Sequence, residues 1–434
     1  MTSDSAVDAA IAFVKRLYPP PRRFDLRLWD GTLLPGEAGS TFTLRVNTRG
    51  ALRRMFGIPL ALSLGESYVR GDFDFDGDPW AAAPAIRAYA DSLRSPRDAA
   101  QLYRLWRALP RDDAAPIPVD AANIKAEQGS RQWDLEGIRY HYDLGNDFYN
   151  LFLGERMVYS CGYYPTGTED LDTAQDLKLD LICRKLRLEP GERLLDIGCG
   201  WGALVIYAAQ RYCVRALGVT LSKEQHSLAT QRVAEAGLED RVTIRLQDYR
   251  DLREEPFDKI ASVGMFEHVG GERLPQYFEH TFSLLRPGGL FLNHGISGRP
   301  SSPHRLRGRI AEDLNELLVG SVKFRKRYIF PTGGLVAVSE ANLPAEQAGF
   351  EVRDVESLRE HYARTLQFWV RNMDANREAV VRTVGMAAYR LHRIHLGVAS
   401  WQFMTGDLSI HQTLLAKKDR GRARVPWSRE DIYK

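Results

Sequence analysis

In "LLDIGCGWG" (Leu194 to Gly202), three glycines, a carboxylate and a cysteine follow a short apolar run. The run reads as a strand, the glycines as a turn and "ALVIYAAQRY" as the helix after it. Gly198, Gly200 and Gly202 tolerate positive φ and let backbone close on a ligand. In a doubly wound sheet such a turn lies where ligands bind, outside the carboxyl ends of the strands. No GK[ST] follows, which excludes a Walker-type phosphate loop, and GxGxG is not the GxGxxG dinucleotide fingerprint. Asp196, just before the turn, would repel a pyrophosphate and suits a cation or an amino group. S-adenosylmethionine carries both a sulfonium and an α-amino group. A tight turn with no ligand is the plainer alternative.

Two further stretches follow in order. "RALGVTLS" ends without an acidic residue for a ribose and runs into "VTLSKEQ". "LQDYRDL" offers Asp248 and Tyr249, where a side-chain hydrogen bond and a stacked ring could hold an adenine. Taken singly, such residues are more often helix caps or surface turns, and their order after the glycine turn weighs against that.

Strands and helices must place these residues. The chain has 434 residues, 44% hydrophobic, which suggests two domains or more. Residues 1–110 mix strand-like and helix-like pieces: "TFTLRVNT" alternates as a half-buried strand, and "PWAAAPAIRAYADSLR" (Pro79 to Arg94) reads as a helix. Residues 111–130, rich in Pro, Asp and Ala, read as a linker. In residues 131–434, "RLLDIG", "VRALGVTL", "VTIRLQD", "DKIASVGMF" and "GLFLNHGI" alternate with helical stretches such as "AQDLKLDLICRKLRL". That order predicts a parallel α/β sheet with crossover helices.

A net charge of +3 argues against an electrostatic nucleic-acid binder. Cys161, Cys183, Cys199 and Cys213 form neither a disulfide scaffold nor a CxxC metal pair, which fits a reducing cytosol and no metal site. The N-terminus lacks an apolar signal region, and no stretch approaches the length of a membrane span. Any membrane contact is expected to be peripheral.

Together, "YHYDLGNDFYNLFLGERMVYSCGYY", "LLDIGCGWG", "GVTLSKEQ", "LQDYRDL", "GMFEHVG" and "YIFP" resemble the cyclopropane-fatty-acyl-phospholipid synthases. The related mycolic acid cyclopropane synthases share much of this set, which covers about residues 65 to 370. "LGESYVRGDFDFDG" (Leu64 to Gly77) resembles the N-terminal lipid-binding part of the full-length bacterial synthases, which the mycolic enzymes lack. The resemblance implies a Rossmann-like class I S-adenosylmethionine-dependent methyltransferase with a smaller α+β N-terminal lipid-binding domain. It implies methylation of a cis double bond within a phospholipid acyl chain. It places Tyr159, Ser160, the turn Leu194–Gly202, Thr220, Leu221, Gln225, Tyr249 and Arg250 against the methyl donor. It also implies a homodimer on the inner face of the cytoplasmic membrane.

The family is thought to remove the last proton with bound bicarbonate, because a side-chain base beside a carbocation risks alkylation. The matching residues are Cys161, Glu267, His294, Ile296 and Tyr362. Glu267 beside His294 is expected to hold the imidazole oriented and charged, which favours an anion. Tyr142, Tyr163, Tyr164, Tyr328, Phe330 and Trp369 are candidates to stabilise a cation through their ring faces. The plainer roles are a buried small thiol for Cys161, a core histidine for His294, a helix cap for Glu267 and a core ring for Tyr362. His268 reads as structural.

No cysteine follows Cys213, so a C-terminal thiol is not essential if the resemblance holds. Between "HGISG" and "YIFP" lie two basic clusters, Arg305–Arg309 and Lys323–Arg327, which are either solvated or apposed to anionic headgroups. Three rivals remain. One is the same methylation ending in a methylene or methyl branch. Another is a non-catalytic lipid-binding protein. The third is a small-molecule N- or O-methyltransferase, which would need neither the N-terminal domain nor the bicarbonate residues.

Overall fold

The structure, a computed structural model, describes residues 3–37, 39–77, 80, 96–142, 144–298 and 321–433. The helix expected at Pro79 to Arg94 (but for Trp80) and the basic cluster Arg305–Arg309 lie outside them. The chain forms two compact units. The first joins residues 1–122, 302–329 and 384–401; the second joins 123–301, 330–383 and 402–434. A single cut through residues 111–130 therefore does not describe the units. The physical reason is packing across long sequence gaps. Phe324, on the helix Ser321–Tyr328, fills the space beside Gly65, where a Cβ would run into its ring. Arg390 donates to the Tyr68 carbonyl at 2.9 Å and to Asp74 at 2.7 Å.

The first unit carries β1 (Asp25–Arg27), β2 (Leu33–Leu34), β3 (Phe42–Val46) and β4 (Phe73–Gly77) in the order β2-β1-β3-β4. In β3, Phe42, Leu44 and Val46 are buried in strict alternation, as "TFTLRVNT" predicts. The helix Ser3–Leu17 turns Ala10, Phe13, Val14 and Leu17 into the same core.

The second unit is built on β5 (Arg193–Ile197), β6 (Arg215–Thr220), β7 (Val242–Leu246), β8 (Phe257–Val263), β9 (Leu285–Ser297), β10 (Glu351–Ser357) and β11 (Ser409–Ala416). Their order is β10-β11-β9-β8-β5-β6-β7. β5 to β9 are mutually parallel, whereas β11 lies antiparallel between β9 and β10. The all-parallel expectation thus fails at one strand. The Rossmann-like arrangement holds: chain order reverses across β5, with β6 on one side and β8 on the other, and this switch point opens a crevice. Asp170 caps the helix Leu171–Leu186 by accepting from the Thr173 N–H, and Ser222 caps Lys223–Glu235 through Gln225 N–H.

Candidate active site

β5 ends at Ile197, and the next turn needs the left-handed region three times: Gly198 at φ 81°, Gly200 at 54° and Gly202 at 82°. A side chain at Gly198 would also meet Met265 at 2.9 Å. The Gly198 and Cys199 N–H groups donate to the Val219 carbonyl, which ties the turn to β6. Gly202 begins the helix Ala203–Tyr212.

Around this turn lies a cavity of about 480 Å³. Tyr159, Ser160, Asp196, Gly198, Gly200, Thr220, Leu221, Gln225, Asp248, Tyr249 and Arg250 all line it. Gly202 shapes the turn without lining the space. Thr220 Oγ1 donates to Gln225 Oε1 at 2.7 Å. Asp248 is gripped by the Arg250 guanidinium, at 2.6 Å from its terminal nitrogen. Arg250 reaches Asp134 at 3.0 Å, and Asp134 receives Arg273 at 2.7 Å. Asp248 is accordingly held below the ordinary carboxylate range, against the desolvation that opposes it. Asp196 has no such partner. Burial pushes its pKa up to about 7, moderated by Lys178, and its Oδ1 has no hydrogen bond.

Cys161, Glu267, His294, Ile296 and Tyr362 do not line this cavity; they belong to a second constellation in which Cys161, His294 and Tyr362 are buried and Glu267 and Ile296 half-buried. The Ile296 N–H donates to Glu267 Oε1 at 2.7 Å, while Glu267 Oε2 has no partner. Burial raises the Glu267 pKa to about 7. His294 Nδ1 faces Gln412 Nε2 at 3.3 Å, and its Nε2 is unpartnered. Burial, together with Lys178, Lys185 and His411, drives its pKa well down. The expectation of a charged His294 held by Glu267 is therefore corrected: Gln412 orients a neutral ring. Cys161 Sγ donates to the Gly162 carbonyl at 3.1 Å, and desolvation raises its pKa, so it is a packed thiol. Burial raises Tyr362 as well, and its ring meets Trp369 edge-on at 5.9 Å.

Among the aromatic candidates, Tyr142, Phe330 and Trp369 belong to one cluster with His141 and Tyr159. Tyr159 lies 5.1 Å from Trp369 and 6.3 Å from Tyr142, and Phe330 lies 4.0 Å from His141. Tyr163 and Tyr164 instead pack on His361, and Tyr328 belongs to the first unit, where its hydroxyl donates to Glu66. His268, read as structural, lines the cavity, with its pKa pushed down to about 4 by burial.

Sequence reasoning missed Lys178, Asp134, Arg273 and Gln412. Lys178 carried a signal: it interrupts an apolar stripe with Ala174, Leu181 and Ile182 at helical spacing. Among the described residues, no cluster of three or more His, Cys, Asp or Glu side chains could hold a metal, and no helix is long and apolar enough to cross a membrane.

The family model for mycolic acid cyclopropane synthetase matches residues 129–413. The chain belongs to that family. It is 37% identical over 411 residues to a "Probable fatty acid methyltransferase" of Pseudomonas putida, covering 94% of this chain and 96% of the relative. It is 33% identical over 365 residues to the "Cyclopropane-fatty-acyl-phospholipid synthase" of Escherichia coli K12, covering 84% and 85%. The cyclopropane synthase MmaA2 from Mycobacterium tuberculosis superposes with a TM-score of 0.59 at 32% identity, over 65% of this chain and 97% of that one. The mycolic acid cyclopropane synthase CmaA1 complexed with SAH and CTAB matches equally well, at 0.59 and 33% over the same shares. The cyclopropane synthetase family member described here is an S-adenosylmethionine-dependent methyltransferase with a Rossmann-like class I fold.

Proposed function

We propose that the chain methylates the cis double bond of an unsaturated phospholipid acyl chain and closes the product to a cyclopropane, with bicarbonate held by Glu267 and His294 in a pocket that Cys161, Ile296 and Tyr362 complete. The observation that carries this reading is a pair of buried atoms without partners, Glu267 Oε2 and His294 Nε2. Buried polar atoms are rarely left unpaired. With Gln412 Nε2 facing Nδ1, the neutral His294 ring keeps its proton on Nε2 and donates there, while the Glu267 oxygen accepts. A small anion with its own hydroxyl, as bicarbonate has, complements that pair.

S-adenosylmethionine supplies a methyl on a sulfonium leaving group, and bicarbonate supplies a proton acceptor that methylation does not consume. The residues of this chain do the rest. The glycine turn and the residues lining the cavity hold the donor, with Asp196 meeting positive charge. Tyr142, Tyr159, Tyr362 and Trp369 exclude water and present ring faces to charge developing on the acyl chain. Ile296 acts through Glu267, because its N–H is already given to Oε1. Cys161 and Tyr362 keep their protons, so neither is the base.

In the first unit, Lys323, Lys326 and Arg327 are exposed on one helix beside Val322 and Leu62. This surface supports peripheral binding to anionic lipid, each cation adding about 1 kcal/mol near the surface; a homodimer on the inner face of the cytoplasmic membrane is part of the same proposal. Reversing Lys323, Arg325, Lys326 and Arg327 should weaken binding to anionic vesicles; unchanged binding discards the surface.

The deciding experiment incubates the protein with S-adenosylmethionine and oleoyl phospholipid vesicles and analyses the fatty acids. A gain of one CH2 with loss of the alkene protons is the expected result, and no gain sinks the proposal. Retained terminal methylene protons would favour the branched product.

A further inference from the structure

Lys178 sits mid-helix in Leu171–Leu186 and is 1% exposed. An ammonium has three hydrogens to give. One goes to Ser160 Oγ at 3.0 Å, and Lys178 makes no ion pair among the described residues. Asp196, at the end of β5, is 3% exposed and leaves Oδ1 without a partner. Both side chains line the donor cavity with Gly198 and Gly200. The cavity therefore buries one cation and one carboxylate that do not pair with each other. Leaving either charge buried without a partner is costly.

A ligand that satisfies both must carry a carboxylate and an ammonium close together, as the amino-acid end of the methyl donor does. We infer that Lys178, with the Ser160 hydroxyl it fixes, binds the α-carboxylate of the methyl donor while Asp196 receives its α-ammonium. The inference rests on the assignment of this cavity to the donor and adds the group that selects its zwitterionic tail. A nucleoside without that tail leaves both charges unmet. One with only the amine leaves Lys178 unmet.

The test is calorimetric titration of the full chain with S-adenosylhomocysteine and with its decarboxylated analogue, which keeps the amine. The wild type should prefer S-adenosylhomocysteine by about tenfold to a hundredfold, the range of a charge-assisted contact. Lys178→Met should abolish that preference, leaving the analogue's affinity within about threefold, and Lys178→Arg should restore part of it. Asp196→Asn should weaken both ligands alike. Equal loss for both ligands in Lys178→Met would reduce Lys178 to a support for its helix and overturn the inference. If Lys178→Met does not fold, the wild-type ratio decides alone, and equal affinities overturn the inference. Wild type that binds neither ligand would sink the donor cavity itself, a different failure from equal binding of both.

Discussion

The glycine cradle and the Glu267–His294 constellation both stand at the carboxyl ends of parallel strands, yet they are finished differently. In the cradle, Asp196 and Lys178 apart, the polar groups have partners inside the protein: Gly198 and Cys199 on Val219, Gln225 on Thr220 and Ser222, Asp248 on Arg250. In the second constellation, Glu267 Oε2, His294 Nε2 and Gln412 Oε1 are buried without partners. A cradle made from backbone conformation folds into shape without its ligand. A pocket made from spare polar atoms is held open by the packing around it, at a cost in stability. The first should respond to substitution mainly in binding. The second should respond in chemistry and in pH-dependent stability.

The strongest way to break this contrast is at the second constellation. His294→Ala and Glu267→Gln should each lower methyl transfer by roughly a hundredfold or more, the range of a positioned proton-transfer group. Binding of S-adenosylhomocysteine should stay within about threefold of wild type. A parallel collapse of both, read by calorimetry and by fatty-acid analysis, would show that the two sites are not separable.

Next comes pH. The Glu267 pKa is about 7 in the folded protein against an ordinary 4.5. A raised value means that its contribution to stability is complete below about pH 4.5 and is lost as pH rises through about 7. Denaturant unfolding should show Glu267→Gln gaining on wild type across that window, by a few kcal/mol at most (about 1.4 per unit). A constant difference from pH 4 to 8 would show that the carboxyl is not desolvated.

Within the cradle, Gly198→Ala forces φ near 81° on a residue with a Cβ that meets Met265. It should cost about 1–3 kcal/mol of stability and weaken S-adenosylhomocysteine binding correspondingly. Unchanged binding would mean that the turn is not the cradle. The smallest effect belongs to Cys161→Ala. It leaves a small void costing about 1 kcal/mol, and methyl transfer should stay within about tenfold, because a packed thiol with a raised pKa offers no thiolate. A loss as large as that of His294→Ala would overturn this.

The sequence made the parallel strands legible because β5, β6, β8 and β9 are runs of apolar residues buried on both faces. The same held for the residues lining the cavity, whose order along the chain follows those strands. β11 was not legible. Its "SIHQTLLA" pairs with β9 across more than a hundred residues, and nothing local announces that partner. Gln412 was hidden for the same reason. Tyr163 and Tyr164 follow Cys161 closely in sequence, but both rings pack on His361, which lies about two hundred residues later in the chain and is not announced locally. Phe324 and Arg390 show why the domain division was hidden too: each packs against a segment hundreds of residues earlier.

The reversed strand β11 has a consequence for synthesis on the ribosome. It occupies an interior place in the sheet, between β9 and β10, and its Gln412 stands directly opposite His294. A nascent chain that has made everything through Thr405 already holds the glycine turn, Glu267 and Tyr362, but has β9 as an open edge and a histidine with nothing to orient it. The glycine turn, by contrast, depends on β5 and β6, which pair with each other without β11. Under the proposed function, the orientation of His294 waits for residues 409–416, which must enter between β9 and β10.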